Sequence, residues 1–254
     1  MNNLEELINI IKILRGKNGC PWDRAQTHKS LVPNMLEEAY EAVEAIDEDN
    51  PEHLKEELGD VLLQVLLHSQ IADDNNEFNI EDVAKNLKEK LIHRHPHVFG
   101  SANAETPQEV VQNWDMLKQE EKTERTSRLD GIPKTLPALA ACQKISKKAV
   151  NAGFEWDKIE TLLKCIKSEY REFNAAVKLN NKDSMEDEMG DIFFATVNLA
   201  RWYGIDAEQA LLRANKKFTK RFKKMEELAV KPLEEYSFEE FDALWNKAKI
   251  KLRY

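Results

Sequence analysis

The sequence has little cysteine, glycine and proline. Its three cysteines, Cys20, Cys142 and Cys165, are widely spaced and odd in number, which predicts reduced thiols in the cytoplasm and neither disulfides nor a zinc cluster. Only 8 glycines and 8 prolines interrupt 254 residues. Sustained alternation of polar and apolar residues is also missing, so we expect an all-helical protein rather than one built on strands.

Long apolar segments and an excess of positive charge are missing as well. The most apolar stretches, 61–67 and 192–200, are too short to cross a bilayer, and the N-terminus has no basic start followed by an apolar core. The formal net charge of −9 argues against a nucleic-acid binder, which would normally have a basic surface. We therefore expect a soluble cytoplasmic protein that binds neither membranes nor nucleic acid.

Helical periodicity is present along most of the chain. It predicts helices near residues 4–14, 31–47, 51–72, 80–93, 107–122, 138–151, 158–179, 184–203, 207–228 and 238–252. We interpret residues 16–23 as a loop and Ser30 as a candidate N-cap of the second helix. A polar segment with glycine and proline, 123–137, is the predicted linker. The expected architecture is all-α, with an N-terminal domain at 1–122 and a C-terminal domain at 138–254, each a bundle of four to five helices.

A pair of acidic motifs occurs twice, at an offset of 131 residues. The first copy consists of Glu38, Glu41, Glu57 and Asp60, and the second of Glu169, Glu172, Glu188 and Asp191. Two acids three residues apart share one face of a helix. The fifteen residues between the pairs are enough to end one helix and begin its antiparallel neighbour. Four carboxylates that face each other repel, so the pattern predicts a metal site in each half.

The ligand types narrow the choice of metal. Carboxylate oxygens suit Mg²⁺ or Mn²⁺, and neither motif contains the Glu-x-x-His of di-iron bundles. The alternative is that the acids only coat solvated helix faces. Apolar runs after Asp60 and Asp191 argue against this, because they indicate buried helices. Gly59 and Gly190 each cost about 1 kcal/mol relative to alanine inside a helix, which indicates a close approach at both positions.

Basic and aromatic residues follow the acidic motifs. Lys217 and Arg221 share one helix face and could neutralise a polyphosphate; Lys90 and Arg94 are their counterparts in the first half, at an offset of 127. Trp245 and its counterpart Trp114 fit either core packing or stacking against a base.

Five sequence motifs occur together in this chain: Gly19-Cys20-Pro21-Trp22-Asp23, Leu36-Glu37-Glu38-x-x-Glu41, Glu57-Leu58-Gly59-Asp60, Arg94-His95-Pro96-His97-Val98-Phe99 and Glu188-Met189-Gly190-Asp191. As a set, they resemble MazG-type nucleoside triphosphate pyrophosphohydrolases, and the resemblance covers nearly the whole chain. The resemblance implies an all-α, Mg²⁺-dependent hydrolase that converts nucleoside triphosphates, ATP among them, to the monophosphate and pyrophosphate. It also implies a homodimer in which the partner chain completes each helical bundle.

Residue roles are carried over from the resemblance position by position. It implies that the C-terminal repeat is the active half, with catalytic metal ligands Glu169, Glu172, Glu188 and Asp191 and nucleotide contacts from Lys217, Arg221, Trp245 and Lys118. Cys165 and Ser184 stand where family members can offer lysines. The first quartet (Glu38, Glu41, Glu57, Asp60) is intact, which implies a second metal site whose turnover is left open.

The favoured hypothesis is Mg²⁺-dependent hydrolysis of nucleoside triphosphates by a metal-activated water, with Mn²⁺ as a substitute. The chemistry needs charge neutralisation and an oriented water rather than a side-chain nucleophile. Two alternatives stay open at this point. One is a di-metal carboxylate oxidase on a helical bundle, and the other is a non-catalytic helical regulatory partner.

Overall fold

The fold is all-helical in the computed structural model, which describes residues 2–121 and 126–252, without the side chains of Gln112, Asp115, Gln119 and Glu120. This confirms the predicted fold class. The helices are α1 (Asn3–Arg15), α2 (Pro21–Ala25), α3 (Val32–Asp47), α4 (Pro51–Asp74), α5 (Ile80–Arg94), α6 (Pro96–Phe99), α7 (Pro107–Glu120), α8 (Ala138–Asn151), α9 (Ile159–Lys178), α10 (Lys182–Trp202), α11 (Ala207–Leu228) and α12 (Phe238–Lys251), with a 3-10 turn at Leu233–Glu235.

Nine of the predicted helices are found within two residues of their expected ends. The tenth, α7, begins at Pro107 as expected, but its predicted end at Lys122 lies outside the described residues, as does the start of the predicted linker (123–125). None of the helices in the described ranges is both long and apolar enough to span a bilayer.

Two local predictions were wrong. The segment 16–23 is not a loop throughout, because α2 begins at Pro21, whose fixed φ suits the first turn of a helix. Ser30 does not cap α3; the N-cap is Leu31, which makes no side-chain cap bond. The Ser30 hydroxyl instead donates to Gln26 Oε1 at 2.7 Å. The short helix α6 was not predicted.

The chain divides into two compact units, Met1–Thr123 and Glu124–Tyr254. In the first, α3 and α1 pack against α4, around a core of Ile11, Leu31, Leu66, Leu67 and Ile71. In the second, α9 and α8 pack against α10, and α11 packs against α12. One core cluster there joins Met225, Leu244 and Ala248. The division falls at the start of the predicted linker, and the predicted domain bounds themselves stay a prediction.

Each unit contains one helical hairpin with the same turn. Three residues connect α3 to α4 and three connect α9 to α10. Asp49 and Asn180 occupy the left-handed region in these turns, with φ of 53° and 52°, a conformation that Asp and Asn tolerate better than most residues. The next residues, Asn50 and Asn181, cap α4 and α10 with their side chains. The shared turn fixes how the acidic helices face each other.

The second unit depends on Leu162, which is 0% exposed on α9. We expect Leu162→Ala to lower the free energy of unfolding of this unit by about 2–5 kcal/mol, because it leaves a cavity in a packed interior. The measurement is urea unfolding followed by circular dichroism. Leu179→Ala is the matched control, since Leu179 is 78% exposed and its loss should change stability by less than about 0.5 kcal/mol. Equal effects of the two substitutions would contradict this packing.

Candidate metal centre

The acids of each quartet are placed symmetrically about the hairpin turn. Glu41 lies eight residues before Asp49 and Glu57 eight residues after it, while Glu38 and Asp60 are each eleven residues away. The second quartet has the same spacing about Asn180. A helix rises 1.5 Å per residue, so equal separations from the turn place two side chains at the same height of the hairpin. Each acid therefore lies at the same height as one acid of the neighbouring helix.

Three acids converge in each unit. Glu38, Glu41 and Glu57 each offer an oxygen within 4.8 Å of the others, and Glu169, Glu172 and Glu188 do the same. Two oxygens bound to one Mg²⁺ at about 2.1 Å lie no more than about 4.2 Å apart. Small side-chain movements would therefore bring either trio into a coordination sphere. The donor set consists of hard carboxylate oxygens, which fits Mg²⁺ or Mn²⁺.

The fourth acid of the first quartet, Asp60, acts on Glu38 through its charge. The pKa of Glu38 is raised above its ordinary value of 4.5, first by desolvation and then by the negative charges of its neighbours. Asp60 is the strongest of these charges, as expected for two carboxylates at the same height of the hairpin. The negative charges of the first quartet therefore repel each other, as the raised pKa of Glu38 indicates.

The second quartet shows the same repulsion at Glu188. Its pKa is raised by partial desolvation, followed by the charges of Glu172, Asp191 and Glu169. Glu172, the residue at the same height on α9, is the strongest of the charges. Asp191 lies outside the 4.8 Å trio but within electrostatic reach of it. The structure therefore gathers the four predicted acids of each quartet around one point of each hairpin.

Hydrogen bonds orient several of these carboxylates, and the residues that make these bonds differ between the repeats. On α9, the Cys165 thiol donates to Glu169 Oε1 at 3.3 Å, and Ser168 Oγ donates to Glu172 Oε1 at 3.0 Å. In the first unit, His53 Nε2 lies 3.0 Å from Glu57 Oε1. Ser168 and His53 were not predicted as supporting residues. Their spacing could have indicated them, because each stands four residues before an acid and so on the same helix face.

The environment of Cys165 makes it a hydrogen-bond donor rather than a nucleophile. Burial, the bond to Glu169 and the nearby acids raise the pKa of the Cys165 thiol to about 11, so the proton stays on sulfur at neutral pH. Cys20, Cys142 and Cys165 are all free thiols.

Both acidic helices bury one face, as the apolar runs predicted: Ile192 on α10 is 4% exposed, and α4 buries Leu66 and Leu67. Phe193 and Phe194 differ from this expectation, because they are 56% and 42% exposed. Apart from the adjacent residues and the backbone of its own helix, no described residue places an atom within 4 Å of where a Cβ would stand at Gly59 or Gly190. The expected close approach is therefore not made by this unit's own side chains.

The predicted nucleotide-binding residues of the second unit fall on α11 and α12. The Arg221 guanidinium lies over the Trp245 ring, 5.8 Å from its centroid, and exposed Lys217 stands one turn earlier on α11. Lys118 lies on α7 of the first unit and is half-buried. The ring of Trp245 also packs against Phe218 at 5.2 Å, so it combines core packing with a partly accessible face.

The first unit contains the same arrangement with one addition. The Arg94 guanidinium lies 5.2 Å from the Trp114 ring centroid. Arg94 Nε donates to Glu121 Oε1 at 3.1 Å, and Nη2 donates to Glu121 Oε2. Arg94 was predicted as a candidate site residue but Glu121 was not, because no periodicity links residues 27 positions apart.

Comparisons with known proteins also find two similar segments in this chain. The model of the MazG nucleotide pyrophosphohydrolase domain matches the chain twice, at residues 26–99 and 157–225. Each match contains one acidic quartet, which confirms the predicted tandem repeat.

Similar proteins extend over the whole chain. A Thermotoga maritima protein named nucleoside triphosphate pyrophosphohydrolase/pyrophosphatase MazG is 46% identical over 96% of this chain and 95% of its own length. A nucleoside triphosphate pyrophosphohydrolase of Escherichia coli K12 is 39% identical over 98% of both chains. The Bacillus subtilis protein YabN, described as uncharacterized, is 47% identical over 95% of this chain, which spans half of YabN.

Repulsion within the second quartet predicts the effect of removing one charge. Because the pKa of Glu188 is raised, keeping this carboxyl ionised destabilises the folded chain at pH 7, and this cost disappears below the ordinary carboxyl pKa. We expect Glu188→Gln to raise the melting temperature in the presence of a chelator at pH 7. The gain should vanish below pH 4, where the wild-type carboxyl is protonated.

The control for this prediction is Glu186→Gln. Glu186 is exposed on the same helix and is not among the charges that act on Glu188. Thermal unfolding of the three proteins at both pH values provides the comparison. A melting temperature for Glu188→Gln equal to wild type at pH 7 would show that the quartet carries no net repulsion.

Proposed function

The chain belongs to the MazG nucleotide pyrophosphohydrolase family, and on that premise we propose that it hydrolyses nucleoside triphosphates to the monophosphate and pyrophosphate. Two full-length relatives carry the name of this activity. The observation that supports the proposal in the structure is the convergence of Glu169, Glu172 and Glu188 within 4.8 Å, with Asp191 in electrostatic reach. We assign the reaction to the second unit.

Glu169, Glu172, Glu188 and Asp191 would hold Mg²⁺, with Mn²⁺ as a substitute, because their oxygen donors match these ions. When bound, Mg²⁺ neutralises phosphate charge and lowers the pKa of the attacking water. The protein's contribution is to hold the carboxylates in place. Ser168 and Cys165 fix one oxygen each of Glu172 and Glu169 by hydrogen bonds, which orients the remaining oxygens toward the centre of the quartet.

The cations of α11 complement this site. Lys217 and Arg221 would bind the phosphate chain, Arg221 in the bidentate geometry that guanidinium groups favour. Trp245, beneath Arg221, offers a ring face on which any base can stack. We also propose that Lys118 contributes a nucleotide contact. Because stacking reads no hydrogen-bond pattern, this arrangement predicts activity on several bases.

The first quartet (Glu38, Glu41, Glu57, Asp60) is proposed as a second metal site of the same chemical type. Its trio is as close as that of the second unit. The two alternatives from the sequence, a di-metal oxidase and a non-catalytic regulatory partner, have less support. The matched family has a hydrolytic name, and neither trio contains a histidine.

We further propose that the chain works in the cytoplasm as a homodimer. The exposed Phe193 and Phe194 lie two and three residues after Asp191 on α10. Large exposed aromatic residues beside a functional site mark a surface that another protein covers. The open space at Gly190 allows a helix of a second copy to approach there.

Removing one metal ligand tests the proposed activity. We expect Glu172→Gln to lower pyrophosphate release from a triphosphate by about a hundredfold or more, because a hard oxygen ligand and its charge are lost from the site. Pyrophosphate is measured by a coupled assay with Mg²⁺, and circular dichroism checks the fold. Asp191→Asn should behave in the same way.

Two further variants complete this experiment. Glu160→Gln changes an exposed acid in the first turn of α9 and should keep full activity. Glu41→Gln, made separately, measures the contribution of the first quartet. Undiminished release from a protein carrying both Glu172→Gln and Glu41→Gln would end the proposal.

A charged substitution on α10 tests the dimer. We expect Phe193→Glu to shift the protein from dimer to monomer, because it places a charge in an apolar interface at a cost of several kcal/mol. Sedimentation equilibrium gives the mass. Phe238→Glu is the matched control, since Phe238 is 81% exposed on α12. The protein with this substitution should remain dimeric. A wild-type chain that sediments as a monomer would refute the proposal directly.

A further inference from the structure

Two histidines of the first unit are hydrogen-bonded to each other. His28 precedes α3 and His68 lies on α4, and their Nδ1 atoms are 2.7 Å apart. The planes of the two rings are parallel to within 3°. A distance of 2.7 Å between two ring nitrogens is that of a hydrogen bond, so one ring donates its Nδ1 proton to the other. This contact, the His28–His68 pair, connects the segment before α3 to α4.

The His28–His68 pair lies beside the core of the first unit. His28 stands three residues before Leu31, which is 0% exposed, and His68 follows Leu67, which is 2% exposed. Both leucines belong to the same core cluster. Leu31 is also the N-cap of α3 and makes no side-chain cap bond. Core packing and the His28–His68 pair therefore hold the start of α3 in place of a side-chain cap.

The hydrogen bond limits how many protons the two rings can carry. A neutral imidazole has one N–H donor and one nitrogen acceptor, whereas a protonated imidazole has two donors and no acceptor. If one ring gains a proton, it can still donate to the other. If both rings are protonated, two N–H groups and two positive charges face each other, which is unfavourable. The His28–His68 pair therefore tolerates one positive charge but not two.

The charge balance of the pair is set by its own two rings. The pKa of His68 is lowered first by burial and then by the charge of His28. Arg15 of α1 binds Asp74 of α4 at 2.9 Å, and Lys29, beside His28, is exposed. The elements of this unit also carry other charged groups, none of which is among the causes of the lowered pKa of His68: Asp23 of α2, Glu38 of α3 and Asp82 of α5.

The second repeat does not contain this pair. At the offset of 131, His28 corresponds to Ile159 and His68 to Leu199. All six histidines of the chain lie in the first unit, at positions 28, 53, 68, 93, 95 and 97. Histidine is the side chain whose ordinary pKa lies between pH 5 and 8. The second unit therefore has no histidine that could respond to mild acid.

We propose that the His28–His68 pair is an acid-sensitive contact, which lets the start of α3 open from α4 below about pH 6.5. In the open state each ring can bind a proton, whereas the closed pair excludes the second one. The closed state then binds fewer protons than the open state, so opening becomes more favourable as the pH falls. The helix that opens carries Glu38 and Glu41 of the first quartet. This inference does not depend on the proposed hydrolysis.

Hydrogen exchange of the full-length chain measures this opening. The amides to follow are those of Leu31 and Met35, which donate to the carbonyls of Thr27 and Leu31 at the start of α3. A chelator keeps bound metal out of the comparison. After correction for intrinsic exchange rates, the opening equilibrium in wild type should be about tenfold larger at pH 5.5 than at pH 7.5. One excluded proton gives about a factor of ten at one pH unit below 6.5.

Two double variants remove the titration. His28→Asn with His68→Asn keeps an amide donor and acceptor at the hydrogen-bonding positions, and His28→Ile with His68→Leu copies the second repeat. In both, opening at the start of α3 should be equal at the two pH values. His93→Asn, which changes an exposed histidine on α5, is the matched control and should keep the tenfold difference. The start of α9, followed in the same samples, should show no increase in opening at pH 5.5.

The outcomes decide the proposal in either direction. Equal opening of the wild-type amides at pH 5.5 and pH 7.5 overturns it. A tenfold difference that persists in the folded double Asn variant, or an equal increase at the start of α9, also overturns it. Circular dichroism verifies the fold of each variant. If the double Asn variant does not fold, the variant with His28→Ile and His68→Leu provides the same comparison.

Discussion

Mutual repulsion of carboxylates across a three-residue helical turn is the constraint on which the rest of the molecule depends. The turns at Asp49 and Asn180 place two acids of each helix level with two acids of its neighbour. The raised pKa values of Glu38 and Glu188 record the cost of that arrangement. A divalent cation bound there would relieve the repulsion through the same oxygens that cause it. Such binding would couple the stability of the bundle to the chemistry of the site.

The two acidic quartets carry the same four carboxylates but are surrounded by different residues. In the second unit, Ser168 and Cys165 donate hydrogen bonds to the acids without adding charge. In the first unit, Glu37 stands at the position that corresponds to Ser168 and contributes to the raised pKa of Glu38. In the second unit, Asp187 contributes in the same way to the raised pKa of Glu188, so each quartet has a fifth acid beside it. This negative charge favours the binding of a cation and repels a free triphosphate, which is negatively charged itself.

The sequence contained the information for the hairpins because it is local. Spacing of i,i+3 places Glu169 and Glu172 on one face, and a constant offset of 131 relates both helices of each pair. The exposure of Phe193 and Phe194 could not be read in this way. An apolar run is equally compatible with a core and with a surface that another chain covers. The contact of Glu121 could not be predicted from the sequence either, since the packing of α5 against α7 brings Arg94 to it.

The charge of the first quartet affects the stability of its own unit. Four acids that repel each other destabilise the unit unless something binds them. A metal ion alone can provide the stabilisation: a ligand present at a hundred times its Kd contributes about 2.7 kcal/mol to folding. That value is a sizeable fraction of the stability of an ordinary domain. A metal ion bound to the first quartet would therefore stabilise its unit even without turnover there.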